Sequence, residues 1–304
     1  NRFPDEAATE AARKEAMDST PPVVIKQGDV IVSKGQVITE DVYALLEKFN
    51  LLKEKKTYLP QMGVLLMAFL LGAALYGYER LAAAAGGAAR AWTNTHWLML
   101  LTIFALNALL MHLAALARGD GWSLLVYAAP VATGSMLVTL LLGSHWGLAS
   151  SVAFAVLAAA VLNVEQETLF DFRYGLLGLV VCITAVFAVH RASQRFTLLK
   201  AGFLVGVTGT LAVLAMMLVE PEPDTGRMLQ AAGFGMAGGL LTSILVIGLM
   251  PFFESMFGVL SALKLVELSN PNHPLLRRLL TEAPGTYHHS LMVGNLAEAA
   301  AEAV

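Results

Sequence analysis

Residues 121–164 read GWSLLVYAAPVATGSMLVTLLLGSHWGLASSVAFAVLAAAVLNV, 44 residues without one Asp, Glu, Lys or Arg. A single straight helix of that length rises 1.5 Å per residue to about 66 Å, twice the roughly 30 Å hydrocarbon core of a bilayer. The stretch must therefore fold back, and Gly143-Ser144-His145 is the natural corner. That gives two spans, about 122–142 and 145–164. Working outward, five more apolar stretches of spanning length follow the same logic: about 59–78, 95–117, 172–190, 201–219 and 228–253. Trp92 and Trp97 sit where an interfacial aromatic belt would place them. Seven spans put the two chain ends on opposite sides of the membrane.

The composition agrees: 57% of residues are hydrophobic and 14% charged, against roughly 25% charged in soluble domains, and mean hydropathy is +0.64. A formal net charge of −3 without a basic cluster excludes a nucleic-acid footprint. The single cysteine, Cys182, lies in an apolar run and excludes an intrachain disulfide. The chain begins with Asn1 and carries no signal peptide at its start, and it is expected to be a piece of a longer protein.

The polar ends frame the bundle. Residues 1–57 are expected to form a small α+β stub. Within it, 5–17 read as helix, Val30-Ile31-Val32 and Val37-Ile38 flank a turn as a short β-hairpin, and Thr39 caps a helix with Val42, Leu45, Leu46 and Phe49 on one face. After the last span, 254–268 is expected to continue as helix, and Pro271 and Pro274 restart the chain as a short one at 275–283. Pro284-Gly285 then breaks it, and Thr286 is the expected N-cap of a final helix. On that helix His289, Met292, Val293 and Leu296 recur at i, i+3, i+4 and i+7, so His289 falls on the apolar, inward face, with His288 about 100° away. A core or interfacial histidine is the ordinary reading of such a position; a metal ligand is the sharper one.

Within the spans, Gly143/Gly147, Gly202/Gly206 and Gly235/Gly239 are small-residue pairs at i, i+4 that let helix backbones approach. Packing inside the bundle is their default use, and a homodimer face is the alternative. Asn107, His112 and Asn163 are polar groups embedded in spans; His112 and His145 have no mid-span acid near them, and a hydrogen bond to a neighbouring helix is the reading preferred for His112. The lack of mid-span charge and of clearly broken helices argues against a transporter. Arg80, Arg90, Arg191, Arg195 and Lys200 load the connectors on one side, which leans that side toward the cytoplasm, although Lys53, Lys55 and Lys56 oppose it.

Three stretches carry a resemblance. The run 269–279, SNPNHPLLRRL, followed by 283–290, APGTYHHS, is similar to the entry of the HD domain in seven-transmembrane HD-domain cyclic-di-AMP phosphodiesterases, and 28–39, GDVIVSKGQVIT, is similar to the end of that family's extracellular domain. The fold so implied is an all-α polytopic membrane protein: extracellular end at 1–57, seven-transmembrane bundle at 58–253, cytoplasmic linker helices at 254–283, and a truncated first HD helix at 284–304. The resemblance implies a bacterial plasma-membrane protein with its N-terminus outside and its C-terminus in the cytoplasm. It also implies an extracellular ligand as signal and hydrolysis of cyclic-di-AMP to linear pApA at two divalent metal ions, manganese or iron. His289 would be the first metal ligand, with His288 helping to position the site. The naming His-Asp dyad would lie about thirty residues further on, and no His in this chain precedes an Asp. Because a catalytic metal needs three or more protein donors, the chain alone is expected to bind no metal and to be inactive. A seven-helix receptor or ligand-binding module without enzymatic activity is the alternative.

Overall fold

The computed structural model describes residues 10, 13–14, 30–33, 35–49, 51, 59–84, 92–117, 123–163, 170–192, 194–219 and 224–303. The chain divides into two units, 1–59 and 60–304, each taken by itself. In the first, α1 (Glu40–Lys48) starts after Thr39 and carries Glu40 and Asp41 in its first turn and Lys48 in its last, each matched to the helix dipole. Residues 30–33 and 35–39 form no strand. There the expected hairpin is replaced by a turn in which the Gln36 amide donates to the Ser33 carbonyl at 3.1 Å. Gly35 takes a φ of 93°, open to glycine at no steric cost. Glu10, Arg13 and Lys14 are helical. The rest of the expected 5–17 helix, residues 28–29 and 34, and Lys53, Lys55, Lys56 and Arg90 lie outside the described residues.

Among its described residues the second unit contains seven helical segments long and apolar enough to cross a membrane. They are α2 (Leu59–Ala84), α3 (Asn94–Leu116), a third span made of a 3-10 turn (Ser123–Ala128) and α4 (Thr133–Leu142), then α5 (Ser144–Val161), α6 (Phe172–Val189), α7 (Arg195–Leu218) and α8 (Thr225–Phe257). Among the described residues there is no strand, so the protein is an all-α membrane bundle. The corner required between the third and fourth spans is Gly143, whose φ of 97° side chains rarely adopt. Met99, Ile103, Met136, Leu137, Phe154, Cys182, Leu198 and Val246 build one shared core.

The third span is broken, against the expectation of unbroken helices. Pro130 has no amide proton to give, and residues 129–132 leave the helical ladder. Irregular backbone inside a membrane survives where it is buried in protein and its carbonyls find donors. Here Asn107 Nδ2 on α3 donates to the Val131 carbonyl at 3.0 Å, and the Cys182 thiol on α6 approaches the same oxygen at 3.8 Å. Asn107 thus mends the break. Its Oδ1 and the Thr133 hydroxyl are buried without a hydrogen-bond partner among the described residues.

Where α7 meets α8 the glycine pairs oppose each other. A Cβ on Gly239 would lie 2.1 Å from the Gly206 nitrogen, and one on Gly202 would lie 2.4 Å from the Ser243 Cβ. A Cβ on Gly206 would lie 2.9 Å from the Met236 carbonyl, and one on Gly235 3.2 Å from the Thr210 backbone. These four glycines face each other's helices within one chain, which leaves that face no room for a second copy.

Candidate functional site

The helix that leaves the bundle is α8. Its 33 residues reach about 50 Å, well past the roughly 30 Å core. It does not run on to Leu268 as expected. Gly258, at φ 62°, ends it in a left-handed cap. The Ser261 hydroxyl then accepts from the Lys264 amide at 3.1 Å and donates to the Glu254 carboxylate, fastening the start of α9 (Ala262–Leu268) back onto the end of α8. Across this joint Arg195, at the start of α7, donates to Glu267 on α9 at 2.5 Å, and Lys264 stands 3.6 Å from the same carboxylate. The Arg195 hydrogen bond holds the Glu267 carboxyl below the usual carboxylate range; slight burial opposes it, and the Arg195 and Lys264 charges assist. Arg195 and Glu267 are 72 positions apart, so no local pattern could have paired them.

Beyond the joint come α10 (Pro274–Glu282) and α11 (Pro284–Glu302), each with proline in its first turn, where a missing amide proton costs nothing. Ala283, not Thr286, is the N-cap of α11, because Pro284 fits inside the first turn. On α10, Arg278 pairs with Glu282 at 2.8 Å.

His289 does sit on α11 with Met292, Val293 and Leu296, but the face is exposed rather than inward: Met292 is 65% and Leu296 69% accessible, and His288 and His289 are both exposed. The physical reason is that α11 packs against α10 and nothing described covers its apolar stripe. Among the described residues no three His, Cys, Asp or Glu side chains gather where an ion could be held. Among them His289 is thus a single candidate donor. His112 and His145 are also exposed. For His112, one turn before the end of α3 at Leu116, this replaces the expected bond to a neighbouring helix.

Among the described residues, seven apolar helices continued by a capped and ion-paired joint into three further helices define a multi-pass membrane protein. A family profile described as "7TM receptor with intracellular HD hydrolase" matches residues 58–261, and another, "7TM-HD extracellular", matches 1–53. The chain belongs to this 7TM receptor family with an intracellular HD hydrolase. It is 36% identical over 302 residues to the cyclic-di-AMP phosphodiesterase PgpH of Bacillus subtilis, covering 99% of this chain and 42% of that protein. It is 31% identical to the protein of the same name in Listeria monocytogenes, over 100% of this chain and 41% of that one. An uncharacterized protein of Synechocystis is 28% identical over 92% of the chain and 32% of its own length. The chain thus spans about two fifths of the length of the two phosphodiesterases it matches. No solved structure matches it.

Proposed function

We propose that the protein carrying this chain is a metal-dependent HD phosphodiesterase that opens cyclic-di-AMP to linear pApA, and that this chain is its membrane and linker part. The observation that carries the reading is the 36% identity, sustained over 99% of the chain, to a protein named for that activity. In this reading the N-terminus lies outside the cell and the C-terminus in the cytoplasm. An extracellular ligand acts through the bundle, and α8 delivers its movement to α9–α11 through the Glu254–Ser261 and Arg195–Glu267 contacts. The two divalent ions, manganese or iron, would take most of their donors from outside the described residues; His289 would give one imidazole, and His288 would help to orient it. Since one donor cannot hold an ion, the 304-residue chain by itself is expected to hydrolyse nothing.

The test is cyclic-di-AMP hydrolysis with added manganese by the full-length protein and its His289→Ala variant. The expected result is turnover by the former and loss in the latter at unchanged expression. Retained activity in His289→Ala would remove this histidine from the site. No turnover by the full-length protein would leave the second reading, a seven-helix ligand-binding module, which a large apolar cleft within the bundle favours.

A further inference from the structure

Between α2, α3 and α5 lies a cleft of about 360 Å³, more than twice the ~150 Å³ cavity that admits benzene and within the range of ligand pockets. Val64, Leu71 and Gly72 line it from α2, Leu100 and Phe104 from α3, and Leu157 from α5; no charged residue reaches it. From Val64 to Leu75 it follows α2 for eleven residues, about 16 Å, which is close to the half-thickness of the ~30 Å hydrocarbon core.

One end of the cleft lies next to polar groups. Trp97 lines that end, its ring 6.0 Å from that of Tyr76 and 4.7 Å from that of Trp92, which in turn lies 3.8 Å from the Trp146 ring at a tilt of 38°. This is an aromatic cluster of the kind that marks a membrane interface. Beside it the Arg80 Nε donates to the Tyr76 hydroxyl at 3.0 Å, and Arg80 forms no ion pair among the described residues. A slot one leaflet long, greasy throughout and ending in aromatic rings beside a guanidinium, matches a single amphiphile.

We propose that this cleft holds one acyl chain of a membrane phospholipid, with the headgroup phosphate at Arg80. A helix from a second copy is a poorer match: at ~10 Å diameter over the same length it would fill about 1,300 Å³, more than the roughly 1,000 Å³ of empty space in the cleft. The occupant also explains how α2 stays seated, because none of its window within Met62–Leu81 is buried by protein.

The probe is phospholipid retained by the purified chain, measured per chain by extraction and by native mass spectrometry, in the wild type and in Gly72→Phe. A Cβ at Gly72 meets nothing within 4 Å, so the ring can enter the cleft. Ala160→Leu, on the opposite wall, repeats the test should Gly72→Phe fail to fold. Leu66→Phe, on the exposed side of α2, is the control. The wild type and Leu66→Phe should each keep a bound phospholipid, and the cleft-filling variants should lose it about tenfold. Arg80→Gln should weaken the preference for anionic headgroups. Equal retention in the filled variants, a lipid-free wild type, or a lipid-free dimer would overturn the proposal, and an unchanged headgroup preference in Arg80→Gln would overturn its phosphate contact. No nucleotide enters this assay, so its outcome stands apart from that of the phosphodiesterase reading.

Discussion

Where α7 crosses α8, a Cβ added to Gly239 would lie 2.1 Å from a backbone nitrogen; along α2, one added to Gly72 would meet nothing within 4 Å. Both glycines lie in apolar helices that span by length and composition. The difference teaches what holds membrane helices together. Lipid tails are as apolar as leucine, so burial alone gives helices no reason to associate, and close backbone packing does that work. The α7–α8 seam has such packing, whereas α2 rests beside a cleft.

The contrast breaks most visibly by substitution. Gly239→Val forces α7 and α8 apart and should cost about 3 kcal/mol or more, read as a large drop in the thermal unfolding temperature in detergent. Gly72→Val should change the same reading by less than about 0.5 kcal/mol. Equal effects would mean that the two regions are packed alike. A smaller effect is expected at the broken third span. Asn107→Leu removes the donor to the Val131 carbonyl and should cost about 1 kcal/mol, offset in part because its unpartnered Oδ1 is removed too.

The smallest effect belongs to the joint outside the bundle. Glu267→Gln should loosen α9 from α7 only slightly, and less still at high salt, because both side chains are largely exposed. The Glu267 carboxyl is depressed in the folded state, so its contribution is present above the ordinary value of about 4.3 and is lost as pH falls through the folded value. Hydrogen exchange across 262–268 as a function of pH checks this, with lower protection factors in acid, after correction for the intrinsic pH dependence of exchange, as the expected outcome.

Much of the fold could be read from residues alone because the bilayer imposes one crude rule, length of apolar chain, which residues 121–164 obey visibly. Gly143 as a corner followed from arithmetic. What stayed hidden depended on partners distant in the chain. Pro130 stands in plain view within 122–142, yet whether a proline kinks or breaks a span depends on donors elsewhere, here Asn107 and Cys182. Gly258 and Ser261, which end α8 and cap α9, are local signals that a stripe of apolar residues at 254–268 outweighed in the reading. The candidate site was the least legible. Helical phase does group His289 with Met292, Val293 and Leu296, but phase names a face and not what covers it.

The central claim is a seven-span membrane chain whose ends lie on opposite sides of the bilayer, and cysteine accessibility tests it most directly. Native Cys182 is buried, so single cysteines can be read against low background with a membrane-impermeant reagent. Gln36→Cys should be labelled on intact cells and Ser290→Cys only after permeabilisation. Labelling of both from the same side would contradict an odd number of spans, and the reverse pattern would invert the orientation on which the proposed signalling rests.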